Sequence, residues 1–293
     1  GLPSGGAAYC WGYNSTGQLG DGTTTNRPAP VAGSGGLTVA KIAVGNNWPS
    51  GLMSGGAAYC WGANGSGQLG DGETAQVLTP VAVSGGLSFT ALTTGGGHTC
   101  GLTSGGAAYC WGDNSSGALG DGSTTQALTP VPVSGGLAFS VLAASGGFTC
   151  GLATSGAAYC WGYNGEGELG DSSQTDRLTP VAVSGGLTFV ALNVGSSHTC
   201  GLTSGGAAYC WGFNNYGQLG DGSTAWQWTP VAVSGGLTFA TLAGGHIHTC
   251  GLTSGGAAYC WGNNYAGQLG DVSTTDRLTP VPVSTGPGFA ALT

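Results

Sequence analysis

The sequence predicts an all-β protein: a β-propeller of six units of about 50 residues, each with about four antiparallel strands. Three observations predict it. Gly-Leu opens a unit at residues 1, 51, 101, 151, 201 and 251, and Ala-Ala-Tyr-Cys-Trp-Gly follows six residues later each time, without one insertion. A fixed period of this size marks a stacked repeat array. Within each unit, short alternating runs are separated by clusters of Gly, Ser, Asn and Asp, which is strand and turn chemistry. No window shows a 3.6-residue apolar period with caps, so helices are not expected. The period also means that a residue present in every unit serves the repeat before it serves a unique site.

The third unit shows the elements in order. His98 to Thr103 alternates as a strand does. Ser104-Gly-Gly106 is a hairpin turn. Ala107 to Trp111 is a second strand ending in side chains large enough for a core. Gly112 to Gly122 is a loop saturated with turn formers. Pro130 to Val133 is a third strand, placed by its prolines at a sheet edge or strand start. After the Ser134-Gly-Gly136 turn, Leu137 to Leu142 reads as the fourth.

Composition bounds the function. Charged residues make up 5% of the 293 residues, far below the roughly 25% of an average domain. Glycine is abundant, 63 residues, but without a G-X-Y period, so collagen is excluded, and nine Trp with ten Tyr can supply a core. Low charge with many apolar residues argues against intrinsic disorder. The net charge is −8, with Lys41, Arg27, Arg177 and Arg277 as the basic side chains. No basic surface for phosphate contacts can be built from these, so nucleic acid is not an expected partner. No apolar run approaches the length of a membrane span. The chain starts at Gly1 without a charged n-region or an apolar h-region, which suggests that a secretion signal has already been removed. Little charge means little colloidal repulsion, which favours ordered self-association.

The ten cysteines fall into two series. Cys10, Cys60, Cys110, Cys160, Cys210 and Cys260 precede Trp-Gly, whereas Cys100, Cys150, Cys200 and Cys250 close the segment before the hairpin turn. With Gly105 as the hairpin centre, Thr103 faces Ala107 and Cys100 faces Cys110. Directly opposed residues of an antiparallel pair lie about 4.5–5.5 Å apart, which suits a disulfide. Four bridges within hairpins are therefore expected: Cys100–Cys110, Cys150–Cys160, Cys200–Cys210 and Cys250–Cys260. They imply an oxidising, extracellular compartment. Zinc is the rival, but nine intervening residues are not the short knuckle that structural zinc prefers. Cys10 and Cys60 are left over, Ser50 standing where the partner of Cys60 would be. They are expected to be free or to pair between molecules.

The run Gly-x-x-His-Thr-Cys-Gly-Leu-Thr-Ser-Gly-Gly-Ala-Ala-Tyr-Cys-Trp-Gly-x-Asn-x-x-Gly-Gln-Leu-Gly-Asp-Gly resembles the regulator of chromosome condensation repeat, and it recurs over essentially the whole chain. The resemblance implies a β-propeller, usually of seven blades, in a family that includes exchange factors and enzyme inhibitors. This chain departs from it in having six Trp-Gly units. It would close as a six-bladed ring, the arrangement we favour, borrow strands from a neighbour, or stay open. The last unit stops at Phe289-Ala-Ala-Leu-Thr293 and the first starts after the place of the corresponding strand. The closing blade is thus expected to be unfinished, and such an edge invites partner strands.

Several residues invite a chemical reading. His98, His198 and His248 share one unit position with Trp48 and Phe148. Three imidazoles could hold a metal, but Trp and Phe cannot ligate, so an aromatic packing role fits better; His246 adds interest only locally. Asp21, Asp71, Asp121, Asp171, Asp221 and Asp271 recur in Leu-Gly-Asp without calcium-loop spacing, and turn capping explains them. Gly65 to Gly70 and Gly165 to Gly170 match G-x-G-x-x-G but open no helix of a βαβ unit. Glu166 and Glu168, near Asp171 and Asp176, form a carboxylate pair of the kind used in glycoside hydrolysis, though a solvated acidic loop is the simpler reading. With no unique polar cluster outside the repeat, no catalytic residue, metal or cofactor is expected.

The positions that differ between units carry more information. The fifth unit alone has Phe213, Tyr216, Trp226 and Trp228 together, which are expected to form an exposed patch for a protein or sugar partner. Asn14, Asn64 and Asn114 lie in N-x-[ST] sequons and are candidate glycosylation sites. The sequence thus points to one domain, residues 1–293: a non-catalytic extracellular propeller, structural or self-assembling, such as a filament or surface-layer protomer docking through its terminal blade. A soluble partner-binding or lectin-like propeller is the alternative.

Overall fold

The computed structural model describes residues 1–3, 5–284 and 288–292, so Thr293, where the last repeat breaks off, lies outside the described residues. The described residues form strands, turns and bends without a helix. Among the described residues, no helix is long and apolar enough to cross a membrane. The chain divides into two compact units, Gly1–Thr149 and Cys150–Thr293, with the boundary inside the strand Phe148–Ala153.

In the first unit, Tyr9–Gly12 pairs with Arg27–Ala32. Two complete antiparallel sheets follow, each in chain order: Val39–Val44, Pro49–Met53, Ala58–Gly62 and Val77–Ala82, then Phe89–Thr94, His98–Thr103, Ala108–Gly112 and Ala127–Pro132. Phe139–Ser145 ends the unit. In the second unit, Ala158–Gly162 pairs with Arg177–Ala182. Ala191–Val194, His198–Leu202, Ala208–Gly212 and Gln227–Ala232 form one sheet, and Thr241–Gly244, His248–Leu252, Ala258–Gly262 and Arg277–Pro282 the next.

Sequence unit and sheet are out of phase. The fourth strand read in the third unit, around Leu137–Leu142, does not join that unit's other strands: the corresponding Phe89–Thr94 pairs with His98–Thr103, across the start of the next unit. Gly95–Gly97 makes the turn between them, with Gly95 N donating to His98 O at 2.8 Å. The prolines sit as expected: Pro130 and Pro132 lie in the strand at the sheet edge, where no ladder donor is lost.

The register within the central hairpin is direct. Cys100 faces Cys110, Gly101 faces Tyr109 and Leu102 faces Ala108. The Cα atoms of Cys100 and Cys110 are 4.1 Å apart and the sulfurs are bonded. Cys150–Cys160, Cys200–Cys210 and Cys250–Cys260 repeat the bridge. In the second repeat, Ser50 faces Cys60, with Oγ and Sγ 3.0 Å apart. A hydroxyl thus stands in for the second sulfur without changing the register.

Neighbouring sheets are joined by the repeated tryptophan. Trp111 is fully buried among Leu52 and Ala58 of the preceding sheet and Phe89 of its own, with the Phe89 and Trp111 ring centroids 5.7 Å apart. Trp261 packs in the same way on Leu202, Ala208 and Phe239. The indole N–H of Trp111 donates 3.0 Å to Gln68 O in the loop of the preceding repeat. That loop can approach because residue 70 is glycine: a Cβ there would lie 2.7 Å from Trp111 Nε1, and the backbone φ is +73°.

The position shared by His98, His198, Trp48 and Phe148 has a role beyond packing. Thr149 Oγ1 donates to Ala118 O at 3.0 Å, so its single proton is committed. His98 Nε2, 2.8 Å from Thr149 Oγ1, must then be the donor, which fixes the Nε2–H tautomer. His198 does the same toward Thr249 Oγ1, which donates to Gln218 O. Trp48 Nε1 donates to Thr99 Oγ1 at 3.2 Å, and Thr99 Oγ1 to Gln68 O. The property common to His and Trp is therefore a ring N–H aimed at the next repeat, and Phe148 alone lacks it. The aromatic-packing reading is corrected to that extent.

Burial holds His98 neutral, lowering its pKa to about 4 against the pull of Asp113. A histidine depressed from 6.5 contributes stability that is complete above pH 6.5 and lost as the pH falls through 4, because the unfolded chain takes up the proton first. Replacing Thr149 by Val leaves a buried N–H without an acceptor and is expected to cost about 1–3 kcal/mol in urea unfolding at pH 7. His98→Phe should flatten the stability profile between pH 6.5 and 4.5; an unchanged profile would refute the burial argument. For the hairpins, Cys100→Ala with Cys110→Ala is expected to lower stability by about 2–3 kcal/mol, and equal midpoints for the variant and the parent would show that the bridge constrains little.

Candidate functional site

The loop after each Trp-Gly is built on one buried asparagine. Asn114 is fully buried; its Nδ2 donates to Asp121 Oδ1, Ser123 O and Thr125 O, and its Oδ1 accepts from Leu119 N. Asn14, Asn64, Asn164, Asn214 and Asn264 repeat the arrangement. The aspartate seven residues on completes it. Asp21, Asp171 and Asp271 each accept from the serine or threonine two residues later and pair with Arg27, Arg177 and Arg277 at 2.6–2.7 Å. These bonds hold Asp21 and Asp271 near a pKa of 2, against burial, which acts in the opposite sense.

This geometry weighs against the glycosylation expected at Asn14, Asn64 and Asn114. A glycan bonds to the amide nitrogen, and here that nitrogen is buried and committed to the loop's own carbonyls. The sequon arises because a structural Asn is followed by a polar turn.

The frame leaves the residues around the buried Asn free to vary. In the fifth repeat, Phe213, Tyr216 and Trp226 come together: the Phe213 ring lies 6.2 Å from Tyr216 and 5.5 Å from Trp226. Trp226 Nε1 donates 2.8 Å to Asn215 Oδ1, which orients the indole, and Trp226 remains 38% exposed. Trp228 takes a different direction. It occupies the place of Leu78, Leu128 and Leu278, which pack on the loop glycines Gly17, Gly67 and Gly217, and its indole lies over Gly167. The expected four-residue patch is thus a cluster of three, with Trp228 exposed over the preceding loop.

That preceding loop carries the carboxyl pair. Glu168 is fully buried, its Oε2 accepting from Glu166 N at 2.9 Å. Glu168 Oε1 and Glu166 Oε2 are both buried without a hydrogen-bond partner. Burial, with Glu166 adding to it, raises the Glu168 pKa to about 8. A side chain sealed in this way does not reach a sugar, so the pair is not a glycosidase couple.

A third feature lies in the first repeat. Trp11 is 55% exposed, whereas its equivalents Trp61, Trp111, Trp211 and Trp261 are buried. Around it, Cys10, Tyr13, Val44, Trp48 and Pro49 line a cavity of about 370 Å³. Cys10 is a half-buried free thiol there, its pKa raised by burial. Cys60 is free but sealed, with burial pushing its thiol up to about 12. Of the two expected free or intermolecular thiols, Cys60 is thus enclosed and Cys10 is the one nearer the surface. Among the described residues, no group of three or more His, Cys, Asp or Glu side chains is placed to hold a metal ion.

No curated protein matches this sequence. Solved structures do. Human WBSCR16 superposes with a TM-score of 0.85 at 22% identity, over 94% of this chain and 76% of that one. Yeast RCC1 (Prp20), solved bound to Kap60, gives 0.83 at 21% identity, over 97% and 73%. Prp20p from Saccharomyces cerevisiae, whose structure was described with its binding to Gsp1p and histones, gives 0.83 at 21%, over 97% and 74%. At this identity the likeness establishes the β-propeller fold. The model of the RCC1-like domain matches residues 2–292, and the chain accordingly belongs to the RCC1-like domain family.

Proposed function

We propose that this chain is a non-catalytic protein-binding propeller, one domain of six repeats, that works outside the cell. The observation that carries the reading is the Phe213–Tyr216–Trp226 cluster. A loop frame fixed by buried Asn and Asp hydrogen bonds recurs in every repeat, and on one of these frames three aromatic rings stand together at the surface. Rigid aromatics with an oriented N–H are the side chains that dominate protein interfaces. Four disulfides support an oxidising compartment. Protein partners named for the structural relatives (Kap60, Gsp1p and histones) are in keeping with a binding role. The acidic balance of this chain does not suit a surface that contacts phosphates, so nucleic acid is not among the proposed partners.

A second reading, self-assembly into a filament or surface layer, is favoured by the low charge of the chain, 5% of its residues, which leaves little colloidal repulsion, and by Cys10, a half-buried free thiol that offers a covalent link between copies.

The two readings separate in one set of measurements on the full chain. Partner binding predicts that Trp226→Ala weakens capture of proteins from the native extracellular fluid at least tenfold and leaves particle size in light scattering unchanged. Self-assembly predicts large particles, with reducible dimers that vanish on Cys10→Ser. A sugar array bound in a Trp226-dependent manner, with no protein captured, would replace the first reading by a lectin. A monomer that captures nothing would refute both.

A further inference from the structure

Glu168 stands where four of the other five repeats have glutamine, namely Gln18, Gln68, Gln218 and Gln268, and the third has Ala118. The glutamines all use Oε1 in one way, accepting the backbone N–H two residues earlier: Ser66 N to Gln68 at 2.8 Å, Tyr216 N to Gln218 at 3.1 Å and Ala266 N to Gln268 at 2.9 Å. Glu168 Oε2 keeps that bond to Glu166 N. The substitution therefore changes one atom of the frame: an amide nitrogen that brings its own protons becomes Oε1, an oxygen that brings none. This oxygen is buried without a partner, and so is Glu166 Oε2.

Two carboxyl groups with sealed, unpartnered oxygens cannot both be ionised. The charged and titratable groups around them do not relieve the pair. Tyr163 is a phenol whose own pKa is raised, by burial first and then by Glu168, Glu166 and Asp176. Asp176 accepts from Asn164 N, and Arg177 is committed to Asp171. One proton supplies what is missing: the protonated carboxyl donates to the ionised one, and both oxygens are satisfied.

We propose that Glu166 and Glu168 bind one proton between them, and that this proton latches the 163–171 loop onto the neighbouring repeat. The mechanical link is the main chain of Glu168. Its carbonyl oxygen accepts from Trp211 Nε1 at 2.8 Å and from Thr199 Oγ1 at 3.0 Å, both in the next sheet. Trp228 closes over Gly167. Loss of the proton places two negative charges side by side in a dry site, and the response is expulsion of Glu168, which carries its carbonyl away from Trp211. The fourth and fifth repeats would then part at this seam. This inference does not depend on the proposed function.

The sign follows from burial. The folded Glu168 titrates near pH 8, above the ordinary value of 4.5. The latch is thus complete below about pH 4.5 and lost as the pH rises through 8, and across that interval the opening equilibrium rises about tenfold for each pH unit. The experiment is hydrogen exchange of the full chain, read by mass spectrometry on peptides covering 163–171 and Trp211 and corrected for the intrinsic rate, at pH 6, 7 and 8, for the parent and Glu168→Gln. The parent should open about tenfold more per unit, and the variant, carrying the amide used in the sister repeats, should show a flat profile. Infrared difference spectra at pH 7 should contain a protonated-carboxyl band that the variant lacks. Parallel exchange profiles, or no such band, would overturn the proposal. So would recovery of protection at pH 8 on adding calcium or sodium chloride, which would make the site a cation site in place of a proton site.

Discussion

A single backbone carbonyl in the loop after Trp-Gly holds one repeat to the next within each compact unit. Gln68 O accepts both the indole N–H of Trp111 and the hydroxyl of Thr99. Glu168 O does so from Trp211 and Thr199, and Gln218 O from Trp261 and Thr249. A carbonyl has two lone pairs, and here both are used by side chains of the following sheet. The threonine is in turn the acceptor for a ring N–H, that of Trp48 at Thr99 and that of His198 at Thr249, so three sequential repeats meet at one point. These groups are buried, and leaving any of them unmade would carry a full desolvation penalty. The second repeat shows the minimum: Gln18 O accepts from Trp61, without a threonine hydroxyl beside it, because Pro49 stands where the others have threonine.

Much of this was legible in the sequence because it depends on period and chirality. Hairpin register follows from the Ser-Gly-Gly turn, so the opposition of Cys100 and Cys110 could be counted from Gly105. The sheet boundary was harder. Counting strands within a sequence unit grouped Leu137–Leu142 with its own unit, whereas pairing is decided by the tight Gly95–Gly97 turn, which ties Phe89–Thr94 to the strand that follows. The buried role of Asn14, Asn64 and Asn114 was hidden for a related reason. A sequon looks like an exposed loop signal, but the asparagine is the centre of the loop, and its hydrogen bonds reach five to eleven residues along the chain. The strict recurrence of Asn beside variable neighbours was the available sign. Trp228 stands apart from the cluster because it lies in the strand Gln227–Ala232 and packs over Gly167, whereas Trp226 precedes that strand and packs on Phe213 of its own loop.

The separation between frame and displayed residue explains how a chain with so few charges can still vary. Every group that the frame needs is buried and paired locally, so the positions after Trp-Gly and three residues further carry little structural duty. Tyr13, Asp113 and Phe213 occupy one such place and differ without consequence for the Asn-centred loop. Rigidity is what such display needs, since an anchor already held in place loses less freedom on binding. The Phe213 cluster has this character, with the indole of Trp226 oriented by Asn215 before any partner arrives.

The same logic makes departures from the repeat the informative sites, because each one replaces a solved local problem with a different solution. Ser50 opposite Cys60 keeps the register with a polar contact in place of a bond, and leaves a thiol that burial renders inert. Trp48 for His keeps the donor and discards the titration, so the hydrogen bond to the next repeat no longer depends on pH. Phe148 gives up the donor altogether. Glu168 for Gln keeps the shape and the backbone bond and adds a proton requirement. Shape is conserved through all four exchanges while the dependence on redox state or pH changes, so chemical sensitivity in this propeller can be gained or lost one repeat at a time without disturbing the fold.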